Sequence, residues 1–230
     1  MNIAIIPARG GSKRIPRKNI KLFHGKPMIA YSIEAAIASG CFDKVIVSTD
    51  DQEIADVAKQ YGAEVPFFRP AEIADDYATT MDVMAHAIQW CQHQGWELEA
   101  VCCLYATAPF VLAEDLQQGY QLLQKDDVQF AFSATSFPFP IQRALKLGKD
   151  GSVAMFAPEN ELMRSQDLEE AYHDAGQFYW GRTEAFLSKL SIFSSHSQVV
   201  LLPRKRVQDI DTNEDWELAE SLYSVLQSSK

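Results

Sequence analysis

A run of basic and small residues directly after the first apolar stretch has the composition of a phosphate-binding loop. Residues 9–14 read Arg-Gly-Gly-Ser-Lys-Arg. Glycines allow backbone N–H groups to approach an anion closely, and arginine and lysine add charge-assisted hydrogen bonds to phosphate oxygens. The loop is neither a P-loop nor a dinucleotide fingerprint, because the glycine spacing of both motifs is absent. By motif alone, a solvated basic loop and a phosphate site are both open.

The distribution of charge favours the phosphate interpretation. The first 33 residues hold seven basic side chains and no acidic one, whereas the rest of the chain holds 14 basic against 31 acidic side chains. A local positive charge of this size, in a chain of net charge −10, indicates a site that attracts an anion. We therefore predict that the loop from Arg9 to Asn19 seats a nucleoside triphosphate. The overall negative charge argues against general nucleic-acid binding.

Two carboxylates far along the chain, Asp209 and Asp211, are candidates for a metal site. Residues two apart in an extended segment point to the same face, so both carboxylates can converge on one cation. Mg²⁺ suits them, since it takes one or two carboxylates and completes its coordination with water and phosphate oxygens. The alternative is that the segment only begins the last helix, with Thr212 and Asp215 as a capping pair. A triphosphate loop elsewhere favours the metal, because nucleotidyl transfer needs a cation to offset phosphate charge.

The elements that must position these groups alternate between strands and helices. Such alternation is typical of βαβ units and predicts an α/β fold with a mostly parallel sheet flanked by helices. Ligands of these sheets bind beyond the carboxyl ends of the strands, where the basic loop follows the first strand. The predicted strands cover residues 2–7, 44–49, 64–68, 101–106, 128–134, 177–180 and 199–202, and the predicted helices cover 27–40, 51–61, 79–94, 113–124 and 213–227.

The alternation breaks between residues 135 and 176. This stretch holds Phe-Pro-Phe-Pro at 137–140, a Gly-Lys-Asp-Gly turn signal at 148–151 and several acidic residues at 167–170. The pattern indicates a hairpin-like arm. A chain of 230 residues fits one α/β domain, so we predict a single domain over residues 1–230 that carries this arm.

Composition excludes several other classes of protein. Hydrophobic residues make up 47% and charged residues 23% of the chain, which is ordinary globular composition. No apolar run approaches the roughly 20 residues of a membrane-spanning helix. The first apolar run has no basic residue before it, unlike a signal peptide, so we expect a cytoplasmic protein without membrane attachment. The four cysteines form no C-x-x-C pair, which argues against a zinc site or a disulfide framework.

Several segments together resemble the cytidylyltransferases that activate nonulosonic sugar acids. The most specific is Ile-Pro-Ala-Arg-Gly-Gly-Ser-Lys at 6–13, followed by Lys18 and Asn19. The segments at 45–50, 69–72, 105–109 and 209–212 also fall in that family's order and spacing. The resemblance covers nearly the whole chain. It implies a Rossmann-like nucleotidyltransferase fold, a homodimer made partly through the arm, Mg²⁺ as the cofactor, and transfer of CMP from CTP to a nonulosonic sugar acid with release of pyrophosphate.

The same resemblance, carried over by position, implies roles for individual residues. The residues expected to bind the nucleotide are Ala8, Arg9, Gly10, Ser12, Lys13, Lys18, Asn19, Arg69 and Thr80. The residues expected to act in catalysis are Arg9, Lys18, Asp209 and Asp211, the last two as Mg²⁺ ligands.

Two segments beside the expected sugar pocket depart from the pattern of N-acetylneuraminate synthetases. Residues 105–109 read Tyr-Ala-Thr-Ala-Pro in place of Q-P-T-S-P, and residues 173–176 read His-Asp-Ala-Gly in place of an R-P-N-G-like segment. A phenol in place of an amide changes which substrate groups can be hydrogen-bonded. Residues 164–181 instead resemble the pseudaminic acid cytidylyltransferases, the subgroup that we predict. The predicted sugar-acid contacts are Tyr105, Gln142, Arg143, Arg164, Gln166, His173 and Gln177.

Two alternatives remain open from the sequence. One is the same reaction on N-acetylneuraminate, legionaminate or 3-deoxy-manno-octulosonate. The other is a nucleotide-binding domain that senses CTP without turnover, for which a second carboxylate beside the phosphates has no purpose.

Overall fold

The computed structural model describes residues 1–74 and 78–228. Within these ranges the helices are α1 (Met28–Ser39), α2 (Gln52–Gln60), α3 (Thr80–His93), α4 (Ala113–Leu123), α5 (Thr183–Leu187) and α6 (Asn213–Ser228). The strands are β1 (Asn2–Pro7), β2 (Leu22–Phe23), β3 (Lys26–Pro27), β4 (Lys44–Ser48), β5 (Ala100–Leu104), β6 (Phe130–Ser136), β7 (Leu145–Leu147), β8 (Val153–Met155), β9 (Tyr172–Arg182) and β10 (Ser197–Leu201).

The core is a six-stranded sheet in the order β10-β6-β9-β5-β1-β4. Strand β1 pairs in parallel with β4 and β5, and β10 pairs in parallel with β6. Strand β9 lies between β5 and β6 and runs antiparallel to both. The predicted α/β fold with a mostly parallel sheet is therefore confirmed, and β9 is its one antiparallel member among the described residues.

Strand β1 is apolar from Ile3 onwards because helices cover both faces of the sheet. Ile3 and Ile5 belong to one apolar cluster, whereas Ala4 and Ile6 belong to the cluster on the opposite face. Alternate residues of a strand point to opposite faces, so an unbroken apolar run is what a strand buried on both sides requires. All four residues are fully buried.

Helix α1 begins and ends where the sequence predicts. Pro27 occupies the N-cap position with φ −54°, a value that the pyrrolidine ring fixes in advance. Gly40 ends the helix in the left-handed conformation with φ 65°, which favours glycine over residues with a side chain. The predicted helix over residues 27–40 is confirmed to within one residue at each end.

The structure differs from the prediction in three places. The extended segment at 64–68 forms two isolated parallel bridges beside β4, at Glu64 and Phe68, and no continuous strand. Strand β9 begins at Tyr172, five residues before the predicted start, because the chain passes Gly176 in an irregular stretch of the ladder where its φ is 61°. The short helix α5 was not predicted, since five residues are too few to show a helical period.

The stretch between β6 and β9 forms the predicted arm. It contains the antiparallel pair β7–β8, joined by a turn in which the Gly148 N–H donates to the Ser152 carbonyl over 2.8 Å. Unlike the sheet, the arm leaves large apolar side chains exposed. Phe139 is 79% exposed and Leu162 is 96% exposed. We call residues 137–171 the arm from here on.

A third apolar cluster lies under the basic loop. It joins Ile15 of the loop, Phe23 of β2 and Met28 of α1 to Ile210 and to Trp216 of α6. The cluster ties the first 33 residues to the last helix, although the two segments are far apart in the chain. No helix within residues 1–74 and 78–228 is long and apolar enough to cross a bilayer.

The close packing of β9 against its neighbours predicts a cost for a side chain at Gly181. A Cβ atom there would lie 2.6 Å from Phe186 and 2.7 Å from Phe130. We expect Gly181→Ala to lower the free energy of unfolding by about 1–3 kcal/mol, because both rings are buried and cannot move freely. Gly11→Ala is the matched control, since its Cβ would meet no atom within 4 Å. Urea titration measures both, and equal stabilities would contradict the packing argument.

Candidate active site

A basic cleft, called the main cleft below, lies beyond the carboxyl ends of β1 and β5. Its volume is about 490 Å³. Pro7 at the end of β1, residues 105–107 after β5 and Thr80 at the first position of α3 form its base and one wall. The basic loop forms the other wall. Among residues 1–74 and 78–228, five basic side chains and one acidic side chain line the cleft, namely Arg9, Lys13, Arg14, Lys18, Arg69 and Asp211. The cleft is therefore suited to an anionic ligand.

The loop is held by the segment that follows β4. The Gly10 N–H donates to Asp50 Oδ1 over 2.9 Å. A Cβ on Gly10 would lie 2.7 Å from Asp51 Oδ2 and 3.0 Å from Asp51 Cβ, so only glycine allows this close approach. The Asn19 side chain, which is buried, donates to the Arg9 carbonyl over 3.0 Å and closes the loop on itself.

A fork of hydrogen bonds from Arg17 fixes the same contact. Its guanidinium bonds both carboxylate oxygens of Asp51, with Nη2 2.8 Å from Oδ1, and it also pairs with Glu53. Arg17 adopts φ 56°, a left-handed conformation that the surrounding contacts must maintain. The guanidinium holds the pKa of Asp51 down to about 2, and Asp51 also caps α2 by accepting from the Ile54 N–H over 3.0 Å.

The segment 209–211 meets the loop from the other side. Ile210 is buried in the cluster with Ile15, so its two acidic neighbours are directed away from that cluster. The Lys18 ammonium donates to the Ile210 carbonyl over 2.6 Å and lies 3.2 Å from Asp211 Oδ1. Arg14 Nη2 lies 2.7 Å from Asp211 Oδ2. Asp211 is thereby placed in the wall of the cleft, next to the basic loop.

Asp209 and Asp211 are the predicted ligands of a divalent cation, and of the two only Asp211 lines the cleft. The side chain of Asp209 is exposed, yet the protein around its carboxyl group partly desolvates it, and this burial, followed by the charge of Asp211, raises its pKa. Carboxylates are ligands that Mg²⁺ takes, and Mg²⁺ binding at this position stays a prediction. Capping, the alternative interpretation, is also present, because Asp215 accepts from the Thr212 N–H over 2.8 Å. Capping thus involves Thr212 and Asp215, whereas metal binding is predicted for Asp209 and Asp211.

Arg69 lies at the floor of the cleft. It is 6% exposed and donates to the side chain and the carbonyl of Ser48. Burial lowers its pKa, while nearby Asp50 acts in the opposite direction. No salt bridge joins Arg69 to a carboxylate within residues 1–74 and 78–228. Burial in the floor of the cleft strengthens the attraction of this guanidinium for an anionic ligand.

The opposite wall carries hydroxyl groups. Thr80 Oγ1 lies 3.2 Å from the Tyr105 hydroxyl. Both side chains also line a second, smaller pocket of about 200 Å³, whose other walls are mostly apolar. Burial raises the pKa of Tyr105, which keeps the phenol protonated at neutral pH. The cleft thus continues, past a pair of hydroxyls, into an apolar recess.

The structure brings together most of the residues predicted to bind the nucleotide. Ala8 and Gly10 are the two that do not line the cleft: Ala8 is buried with its N–H bonded to Ser48, and Gly10 lies against Asp51. Nucleotide contact by any of them stays a prediction. The predicted residues that do line the cleft are Arg9, Ser12, Lys13, Lys18, Asn19, Arg69 and Thr80.

The predicted sugar-acid contacts are not gathered in one place. Tyr105 lines the cleft, whereas Gln142, Arg143, Arg164 and Gln166 lie on the arm, outside the residues that line it. Arg164 pairs with Asp167 over 2.7 Å, and the Gln142 amide donates to the Glu169 carbonyl over 2.8 Å. Their contact with a substrate stays a prediction.

The two predicted sugar-acid residues on β9 lie deeper in the structure. His173 packs edge-on against Phe137 of the arm, with ring centroids 4.8 Å apart. Gln177 is buried, and its amide N–H donates to the Arg206 carbonyl over 2.6 Å. Its Oε1 atom has no hydrogen-bond partner among the described residues. Neither side chain lines the main cleft, so these roles also stay predictions.

The seven basic residues near the N-terminus do not all serve the cleft. Three of them contact groups outside the cleft. Arg17 pairs with Asp51, Lys26 pairs with Glu34, and the Lys21 ammonium lies 4.2 Å from the centre of the Trp216 ring. The other four line the cleft.

Two participants had no assigned role in the sequence analysis. Arg14 lies beside Asp211, and only its membership of the basic run could have indicated it. Asp51 secures the loop from a distance of 34 residues in the chain, measured from Arg17. An aspartate after a strand is common, and nothing local shows which arginine it will bind.

Fold and cleft together define an α/β domain with a basic cleft at the carboxyl edge of its sheet. Residues 3–228 match the sequence profile of the cytidylyltransferases. The chain belongs to the cytidylyltransferase family.

Two relatives of known activity align with nearly the whole chain. A pseudaminic acid cytidylyltransferase of Campylobacter jejuni is 51% identical over 228 residues, which are 99% of this chain and 98% of the relative. A CMP-N,N'-diacetyllegionaminic acid synthase of Legionella pneumophila is 32% identical over 234 residues, 99% of this chain and 98% of the relative. The sequence similarity is therefore not confined to the basic loop.

The fold also matches a solved structure, that of a CMP:2-keto-3-deoxy-manno-octonic acid synthetase complexed with CTP. The TM-score is 0.71 at 16% identity, over 97% of this chain and 98% of that chain. At this identity the likeness concerns the fold alone.

The Arg17–Asp51 contact predicts a pH-dependent stability. The folded pKa of Asp51, about 2, lies below the unfolded value of about 3.9. Its ionisation therefore stabilises the fold above about pH 4, and this contribution is lost as the pH falls towards 2. Asp51→Asn removes the charge but keeps an N-cap residue. We expect the wild type to exceed Asp51→Asn in free energy of unfolding at pH 7 and to approach it near pH 2. A difference that does not change with pH would contradict the assignment.

Proposed function

We propose that this protein transfers CMP from CTP to the anomeric hydroxyl of pseudaminic acid and releases pyrophosphate. The observation that carries the proposal is the cleft itself, in which five basic side chains and a carboxylate face one another at the carboxyl edge of the sheet. Membership of the cytidylyltransferase family supports CTP as the donor. The 51% identity with a pseudaminic acid enzyme over almost all of both chains supports the acceptor.

The geometry supports distinct roles for the basic residues. Arg9, Lys13 and Lys18 line the loop side of the cleft and would bind the phosphates and stabilise the departing pyrophosphate. Arg69 would bind from the floor, where burial strengthens its interaction with an anion. The Tyr105 wall would face the sugar acid. Attack on the α-phosphorus is in line with departure of pyrophosphate, so the acceptor hydroxyl and the pyrophosphate must lie on opposite sides of that phosphorus.

Asp209 and Asp211 would hold Mg²⁺ as the cofactor. The ion would offset charge on the α-phosphate when bound. Lys18 and Arg14 hold the Asp211 carboxylate in the wall of the cleft, so its position is set before any ligand binds. The proposal includes a cytoplasmic location, as the sequence predicts.

The proposed reaction is tested by following pyrophosphate release with CTP, Mg²⁺ and a panel of sugar acids. We expect pseudaminic acid to be used in preference to N-acetylneuraminate, legionaminate and 3-deoxy-manno-octulosonate. Preference for another acid would refute the acceptor but keep the reaction. Binding of CTP without turnover of any acid would support the CTP-sensing alternative and refute the enzyme.

The metal role is tested at Asp211. We expect Asp211→Asn to lower turnover by roughly 100-fold or more, since an ion that offsets phosphate charge contributes several kcal/mol to transition-state stabilisation. The fold should persist, as judged by circular dichroism and thermal unfolding. Asp126→Asn, at an exposed position, is the matched control and should retain activity. Near-normal turnover by Asp211→Asn at saturating Mg²⁺ would refute the assignment.

We further propose that the arm forms a homodimer. A monomer rarely leaves a large apolar patch in water, and the arm exposes Phe139, Leu147 and Leu162 by three quarters or more of their surface. A second copy of the chain is the simplest partner that covers both arms at once.

The dimer is tested by replacing apolar residues of the arm. We expect the double variant Phe139→Ser, Leu162→Ser to sediment as a monomer where the wild type sediments as a dimer. Leu218→Ser on α6 is the control, because Leu218 is also an exposed leucine but lies outside the arm. A wild type that is monomeric at all concentrations would refute the proposal.

A further inference from the structure

Two sequence features that set this chain apart from the N-acetylneuraminate synthetases meet in the structure. Tyr105 stands after β5, and Asp174 stands near the start of β9. Both line the 200 Å³ pocket beside the main cleft, and Tyr179 lies there with them. The hydroxyl of Tyr179 donates to Asp174 Oδ2, and the rings of Tyr179 and Tyr105 lie 5.5 Å apart.

An irregularity in β9 makes this meeting possible. Phe132 pairs with Tyr179 and Ala134 pairs with Asp174, so a step of two residues on β6 lies opposite a step of five on β9. In a regular strand, residues five apart point to opposite faces. The three extra residues shift the alternation and bring Asp174 and Tyr179 to the same face. Ser133 Oγ accepts from two N–H groups of the displaced segment and stabilises it.

The direction of the hydrogen bonds follows from the number of protons available. A carboxylate can only accept, so the single proton of the Tyr179 hydroxyl is used on Asp174. Towards Tyr105, Tyr179 can then offer only lone pairs. A Tyr105 hydroxyl that donates to Tyr179 uses its only proton there. The Tyr105 oxygen is then left to accept from Thr80, whose Oγ1 lies 3.2 Å away. The Thr80 and Tyr105 oxygens then present lone pairs to the cleft.

We propose that Asp174 is a positioning residue. It orients the hydroxyl of Tyr179, which in turn orients the hydroxyl of Tyr105. The place where the cleft meets the pocket therefore selects a hydrogen-bond donor on the sugar acid. The group selected is an N–H or O–H, and a carboxylate or keto oxygen is rejected there. This inference rests on the proposed function, since it names how that reaction's acceptor is recognised. It concerns a residue that touches neither CTP nor the reacting atoms.

The variant Asp174→Asn tests the direction of the chain. Asp174 Oδ1 accepts from the Gly176 N–H over 2.8 Å. An asparagine that keeps this bond must turn its NH₂ group towards Tyr179, which then can no longer donate there. We expect the KM for the sugar acid to rise by about tenfold or more, because the donor group on the sugar acid loses its hydrogen-bond acceptor at the junction of cleft and pocket. The KM for CTP should not change.

Tyr179→Phe and the double variant separate positioning from a structural effect. Tyr179→Phe removes the link and should raise the same KM. If Asp174 acts only through Tyr179, adding Asp174→Asn to Tyr179→Phe produces no further increase. Additive effects of the two substitutions, or an unchanged sugar-acid KM in Asp174→Asn, would overturn the proposal. If Asp174→Asn fails to fold, an unchanged KM in Tyr179→Phe would do so.

The wild type measured in the same assay keeps this inference apart from the proposed function. A wild type that releases no pyrophosphate with any sugar acid refutes the proposed function, and the inference with it. A wild type that turns over normally, together with variants of unchanged sugar-acid KM, refutes the inference alone.

Discussion

The active cleft depends on one buried contact region, the apolar cluster that contains both Ile15 and Ile210. Ile15 lies in the basic loop, and Ile210 separates the two aspartates of the opposite segment. Full burial of an isoleucine stabilises the folded state by about 1.5–3 kcal/mol relative to exposure. Because both side chains enter the same cluster, the loop cannot leave the aspartates without exposing apolar surface. Packing sets the position of the 210–211 segment, and the polar contacts of Lys18 and Arg14 with this segment orient its polar groups.

The same arrangement concentrates like charge. Arg9 and Arg69 are close enough that the charge of Arg9 acts to lower the pKa of Arg69, although burial is the larger cause. A cleft of this kind is less stable than an apolar one until an anion enters it. Binding therefore stabilises the fold, by an amount that grows with ligand concentration over its dissociation constant. The repulsion between these cations and their attraction for an anion have one electrostatic origin.

Sequence reasoning reached the parts of this structure that local patterns determine. Neighbouring residues determine three of these parts: the apolar run of β1, the caps of α1 and the basic loop. The insertion of β9 between β5 and β6 was out of reach, because strand order depends on pairings between distant segments. The predicted strand at 177–180 begins directly after Gly176, whereas β9 begins at Tyr172 and passes Gly176 in an irregular stretch. Asp51 lies 34 residues from Arg17 and Thr80 lies 25 residues from Tyr105, and no spacing rule connects these pairs.

The place of β9 in the sheet has a consequence for synthesis of the chain on the ribosome. Strands β1, β4 and β5 can assemble as soon as residue 104 has emerged, because all their mutual pairings lie behind it. Strand β6 is made next, but its partners are β9 and β10, which follow it in the sequence. The nascent chain must therefore carry an unpaired, apolar β6 until the entire arm has been translated. The rate of translation through residues 137–182 therefore determines how long the unpaired strand can associate with other chains.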